Sequence, residues 1–126
     1  MKKNIFLLIF ASVVLVCCSK QSAYEKDIVK PTLKVIYPLD KPTINNGDPL
    51  CIKLLISDNK SLAGVWLQVN DGQGFKKEYA IPGRSMEIIE KYYIPAGVKG
   101  QFTAKFFAAD EAGNTGTAEI LFSSGN

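Results

Sequence analysis

Residues 101–114 read Gln101-Phe102-Thr103-Ala104-Lys105-Phe106-Phe107-Ala108-Ala109-Asp110-Glu111-Ala112-Gly113-Asn114. Phe102, Ala104, Phe106 and Ala108 recur at every second position, with Gln101, Thr103, Lys105 and Phe107 between them. A strand places successive side chains on opposite faces, so this pattern predicts a strand with one buried face over Gln101–Ala109. Glu111-Ala112-Gly113-Asn114 then supplies turn chemistry. The Asp110 carboxylate is placed to accept backbone N–H groups of the turn, Gly113 tolerates positive φ, and Asn114 closes it. Beyond the turn, Gly116–Ser123 alternates again, with Ala118, Ile120 and Phe122 on the inner face. These residues predict an antiparallel hairpin.

The same period continues upstream. Thr32–Tyr37 reads as a strand closed by Pro38, and Asn45-Asn46-Gly47-Asp48 as a turn. Leu50–Ser57 aligns Leu50, Ile52, Leu54 and Ile56 on one face, and Asp58-Asn59-Lys60-Ser61 follows as a loop. Val65–Asn70 aligns Val65, Leu67 and Val69, and Asp71-Gly72-Gln73-Gly74 is a hairpin turn leading into Phe75–Ile81. Pro82-Gly83-Arg84 separates that strand from Met86–Ile94, which Pro95-Ala96-Gly97 ends. Short strands with turn signals every 8–12 residues and no helical period predict an all-β, two-sheet sandwich of about seven strands.

Two stretches carry a resemblance. Gly100 to Asn114 is similar to the bacterial immunoglobulin-like pattern, in which a Gly-x-aromatic strand ends in Ala-x-Asp-x-Ala-Gly-Asn. Ile56-Ser57-Asp58-Asn59-Lys60-Ser61-Leu62-Ala63-Gly64-Val65 resembles that family's aliphatic-x-Asp-x-x-x-Leu-x-x-Val turn, and Pro31 to Pro38 fits its opening. The resemblance covers most of residues 31–123 and implies an immunoglobulin-like β-sandwich. It does not imply a function, because such sandwiches host many. The paired core cysteines and Trp arrangement of antibody domains are missing. Cadherin-like relatives bind calcium between domains, and Asp58, Asp110 and Asn114 offer oxygen donors. Two acids and an amide fall short of the six to eight oxygens calcium takes, so neither metal nor other cofactor is expected.

The chain opens Met1-Lys2-Lys3-Asn4, and Ile5–Cys18 is then apolar except for Ser12. A positive start, a short apolar core and a small-residue cleavage site describe a secretory signal. Fourteen residues at ~1.5 Å rise span roughly 21 Å, short of the ~30 Å hydrocarbon core of a bilayer. Leu15-Val16-Cys17-Cys18-Ser19 resembles the bacterial lipobox. Acylation at Cys18 puts Leu15 at −3 and compact Cys17 at −1; acylation at Cys17 puts β-branched Val16 at −1, so Cys18 is the better acceptor. The expected organisation is a lipoprotein signal peptide over 1–17, a lipidated cysteine and flexible polar tether over 18–30, and an immunoglobulin-like domain over 31–126. Twelve tether residues, fully extended, reach ~40 Å. One acyl chain holds only marginally, and the two or three chains that the resemblance implies make release slow. Ser19 after the anchor implies the outer membrane, by similarity to enteric sorting rules.

Composition excludes several activities. The chain has no histidine, which removes Ser-His-Asp and Cys-His nucleophilic sites and the usual zinc sites. After processing, Cys51 is the free thiol within the domain and reads as structural. All 12 acids and 13 of the 15 basic residues lie beyond the signal, for a net charge of +1 there, which does not suggest a nucleic-acid partner. Glu87 and Glu90 are three residues apart on one strand and point to opposite faces, so they do not form a catalytic carboxylate pair. No enzymatic activity is expected.

The remaining signal is aromatic. If Val65, Leu67 and Val69 face the core, Trp66 faces out. The same alternation turns Phe107 and Leu121 outward on the last two strands. In an immunoglobulin-like sandwich these strands share one sheet, so Trp66, Phe107 and Leu121 are expected to form an exposed apolar patch, extended by Tyr79. The competing expectation is that the tether around Tyr24 and Ile28 folds over it, or that a bulge slips the register and buries Trp66. An exposed patch on an anchored domain points to an envelope binding or assembly module with a protein partner. The alternatives are a carbohydrate-binding lipoprotein that stacks sugars on these rings, or an inhibitor of an envelope hydrolase acting through a loop such as Asp71–Gly74.

Overall fold

The computed structural model describes residues 25–81 and 83–125. The segment expected to be a signal peptide, Cys17, Cys18, Ser19 and Tyr24 lie outside the described residues. Eight strands follow in order: β1 (Thr32–Tyr37), β2 (Thr43–Ile44), β3 (Pro49–Ser57), β4 (Leu62–Val69), β5 (Phe75–Glu78), β6 (Ser85–Tyr93), β7 (Gln101–Asp110) and β8 (Thr115–Ser124). They form a three-stranded sheet, β1-β3-β6, and a five-stranded sheet, β2-β8-β7-β4-β5. All pairings are antiparallel except β2 with β8. The fold is the expected all-β, two-sheet sandwich. The added strand is β2, two residues long and too short for any alternation to announce it.

The inward rows are those the period-two reading selects. Leu50, Ile52, Leu54 and Ile56 of β3 meet Leu67, Phe106 and Phe122 of the facing sheet, and all are buried. Each such side chain contributes roughly 1.5–3 kcal/mol through removal from water. Ala104 and Ala108 on β7 alternate with Phe102 and Phe106, so small residues leave room for large ones opposite. Of the adjacent pair Tyr92 and Tyr93, the first is buried and the second exposed. Phe107 faces outward from the same strand that buries Phe106, as expected.

Two contacts tie the sheets together at one side. Glu90 on β6 accepts the hydroxyl of Tyr79 at 2.7 Å and the ammonium of Lys77 at 2.6 Å. Asp71, in the β4–β5 hairpin, is buried and accepts the Tyr92 hydroxyl and the Gln73 N–H. Tyr92 also packs edge-on against Phe75 and Phe122, at 5.1 and 5.9 Å between ring centres. The hairpin turn expected at Asp71–Gly74 is therefore pinned from across the sandwich.

The four sheet edges differ. The β1 edge carries a register shift between Val35 and Tyr37, β2 has two residues, and β5 has four, three of them charged. Bulges, shortness and charge are the usual means by which an edge avoids further pairing. By contrast β6 runs nine residues, and its pairing with β3 continues from Ser85 to Tyr93 without a shift.

Candidate functional site

Trp66 on β4 and Phe107 on β7 are direct cross-strand partners. Their rings stack at 5.2 Å between centres and 8° between planes, and both are half-buried on the outer face of the five-stranded sheet. The indole also lies back along its own strand over Gly64, where a Cβ would meet Trp66 Cζ3 at 3.5 Å. Glu78 on β5 and Thr117 on β8 flank the pair in the same row. The next row holds Lys105 and Glu119, ion-paired at 2.8 Å, and the Lys105 ammonium stands 5.4 Å from the centre of the Phe107 ring. An ammonium over an aromatic face is attracted by the ring quadrupole. The site is a stacked aromatic pair bordered by charges of both signs.

The other two residues expected in the patch lie elsewhere. Leu121 does face outward, but it pairs with Thr103, so the Lys105–Glu119 row separates it from Phe107. It is 42% exposed and lines a shallow groove with Lys41 and Ser123. Tyr79 must be corrected. It follows β5 on the inner side, packs against the core 6.4 Å from the Phe106 ring centre, and donates to Glu90. The reason is parity: Phe75, Tyr79 and Ile81 share the core-facing side, and the facing Glu90 carboxylate satisfies the phenol there. The parity was legible in sequence, since Phe75 is an inward hydrophobic four residues earlier; the partner was not. Burial, reinforced by the hydrogen bond and the charge of Glu90, pushes the Tyr79 hydroxyl far above its usual range. Burial raises the Glu90 carboxyl, but hydrogen bonds from Lys77 and Tyr79 outweigh it and leave the pKa lowered.

Ile28 does not cover the aromatic pair, because it stands 78% exposed. Cys51 is a free, exposed thiol on the outer face of β3. Leu50 and Ile52 occupy the buried positions on either side of it.

A second cluster forms at the Asp110 turn. Asp110 accepts the backbone and side-chain N–H groups of Asn114 at 2.8 and 2.6 Å, and its carbonyl accepts from Gly113, whose φ is +89°. Burial alone raises the Asp110 carboxyl, but the Asn114 side chain and the N–H groups of Asn114, Ala112 and Gly113 hold it below the usual carboxylate range. The structural role expected of Asp110, Gly113 and Asn114 is the arrangement observed. Sequence reasoning missed Asp27. Its carbonyl accepts from the Asn114 amide at 3.0 Å and its carboxylate from Asn59 at 3.1 Å. Carboxylate oxygens of Asp27, Asp58 and Asp110 thus lie within 4.8 Å of one another. Asp58 turns one oxygen to the N–H groups of Lys60 and Ser61, both at 2.9 Å, and buries the other without a partner. At one oxygen each, the three acids supply three of the six to eight donors a calcium ion takes. No signal in residues 19–30 marks Asp27 as part of this end of the sandwich.

No family model matches the chain, and no curated protein matches it. Among solved structures, the chain is similar to the crystal structure of an engineered protein determined at 1.98 Å by a structural genomics consortium. The TM-score is 0.49 and the identity 14%, over 77% of this chain and 20% of that one. The chain therefore spans about a fifth of the protein it matches. The assignment as a two-sheet β-sandwich rests on the strand order and register above.

Proposed function

We propose that this chain is a lipid-anchored, non-catalytic binding or assembly module of the cell envelope, contacting a protein partner through the face around Trp66 and Phe107. The observation that supports the reading is the stacked, half-buried aromatic pair, whose nearest neighbours on the sheet face are Glu78, Gln68, Lys105, Glu119 and Thr117. An aromatic centre within a polar rim is the usual anatomy of a protein contact. Anchoring is read from the Cys18 lipobox, and outer-membrane placement from Ser19.

Glycan capture has less support. A sugar platform needs free ring faces, whereas stacking occupies one face of each ring and Lys105 stands over Phe107. The loop-inhibitor alternative gains one favourable feature, a hairpin at Asp71 held rigid by Tyr92.

The test combines Trp66→Ala with Phe107→Ala in the full chain. Cross-linking in whole envelopes should yield a discrete species with the native chain and lose it with the double variant, while circular dichroism shows an unchanged fold. A species that survives both substitutions would remove this face from the reading.

A further inference from the structure

We propose that two copies of this chain pair edge to edge through β6, antiparallel and with the twofold axis at Ile89, so that the two three-stranded sheets become one of six strands. Among the described residues no strand pairs with the outer edge of β6. It is the one long, straight edge of the sandwich, since the other three are bulged, two residues long, or short and charged. An unpaired edge of this length presents a row of backbone donors and acceptors that another strand can satisfy.

The register follows from the outward residues. Along β6 these are Ser85, Glu87, Ile89, Lys91 and Tyr93, because Ile88 and Tyr92 are buried. The sequence is a charge palindrome about Ile89. A twofold axis there sets Ile89 against Ile89 of the second copy, and each Glu87 against the other copy's Lys91. Ile89 is 72% exposed, the most exposed large hydrophobic within a strand, and burial against its own copy would remove that surface from water. Moving the axis by two residues brings Lys91 against Lys91 or Glu87 against Glu87. Moving it by one to Glu90 puts two largely buried carboxylates opposite each other. Only the Ile89 register pairs opposite charges, and direct opposite-charge cross-strand pairs are favourable where like pairs are not. Glu87 already holds Lys53 of its own chain at 3.2 Å, so the carboxylate would bridge cations from both copies. A closed twofold contact also uses up the edge, which ends the assembly at two.

The experiment uses the full chain in its membrane, with Cys51→Ala as parent and single cysteines at 87, 89 or 91. A short homobifunctional maleimide should join copies carrying Ile89→Cys and leave Glu87→Cys or Lys91→Cys alone unjoined. Co-expression of the latter two should restore the product. Reversing one charge, Glu87→Lys or Lys91→Glu, should weaken association roughly tenfold, as read from the product at position 89, and the double reversal should recover it. Equal cross-linking at all three positions would mean random collision and overturn the proposal. So would an unjoined Ile89→Cys chain, or a double reversal no better than either single one. Trp66 and Phe107 lie on the opposite sheet, so this outcome is independent of the partner contact proposed above.

Discussion

The two outer faces of the sandwich carry apolar residues in different ways. On the five-stranded sheet, Trp66 and Phe107 lie on each other and each is half covered. On the three-stranded sheet, Tyr37, Ile89 and Tyr93 stand more than half exposed, and none of them has a stacked partner among the described residues. Part of the surface of the aromatic pair already contributes to folding. Ile89 contributes almost nothing to folding and retains nearly its full area for another molecule. A large side chain on a surface can therefore be a fold element or a contact element, and what separates the two is what already touches it.

Substitutions place both faces on one scale. The interior they share sets the upper end: Phe106→Ala should lower unfolding free energy by about 3–5 kcal/mol in a urea titration, and weaken both faces together. The inter-sheet tie comes next. Tyr79→Phe leaves Glu90 without one of its hydrogen bonds and should cost about 1.5–3 kcal/mol near neutral pH. Its pH signature is separable. The folded Glu90 and Asp71 carboxyls lie below their unfolded values, through hydrogen bonds that outweigh burial. Their stabilisation is present above about pH 4 and is lost as pH falls through the folded values. Burial and the adjacent carboxylates raise the Tyr79 and Tyr92 hydroxyls, so that stabilisation is present below about pH 10 and is lost in alkali. Tyr79→Phe should flatten the alkaline limb and leave the Asp71–Tyr92 part intact; an unchanged limb would show that the tie does not couple to folding.

The faces themselves separate at the lower end. Trp66→Ala should cost about 0.5–1.5 kcal/mol beyond its lost area, the usual worth of an aromatic pair. Ile89→Ala should stay within about 0.5 kcal/mol, as exposed positions do. Equal costs in thermal melts of the two variants would erase the distinction between the faces.

Most of this architecture was legible in the residues, and the parts that were not share a cause. The strand Gln101–Ala109 and its turn could be read because period-two burial and turn chemistry are local. The outward orientation of Trp66 and the opposed faces of Glu87 and Glu90 follow from the same parity. The pairing of Tyr79 with Glu90, the burial of Asp71 by Tyr92 and the arrival of Asp27 beside Asp58 and Asp110 each depend on a partner distant in the chain. Parity says which side of a sheet a residue occupies, but not how far along that side its neighbours lie. That is why Leu121 could be assigned correctly to the outer face and still stand two rows away from Phe107.

The contacts of Asp27 bear on how the domain is held. Because Asn114 and Asn59 grip Asp27, and Pro31 is packed where a side chain at Gly116 would collide with it, the chain becomes part of the sandwich before β1 begins. If Cys18 carries the lipid proposed above, only the eight residues Ser19–Lys26 are left to span from anchor to domain, a reach of at most ~29 Å rather than ~40 Å. Drag on the domain would also pull first on two side-chain hydrogen bonds, one from Asn114 at the β7–β8 turn and one from Asn59 in the β3–β4 loop, and only after they part would the load reach the β1–β3 ladder. Under the proposed anchoring, these two loops would thus act as a strain relief between the lipid and the fold.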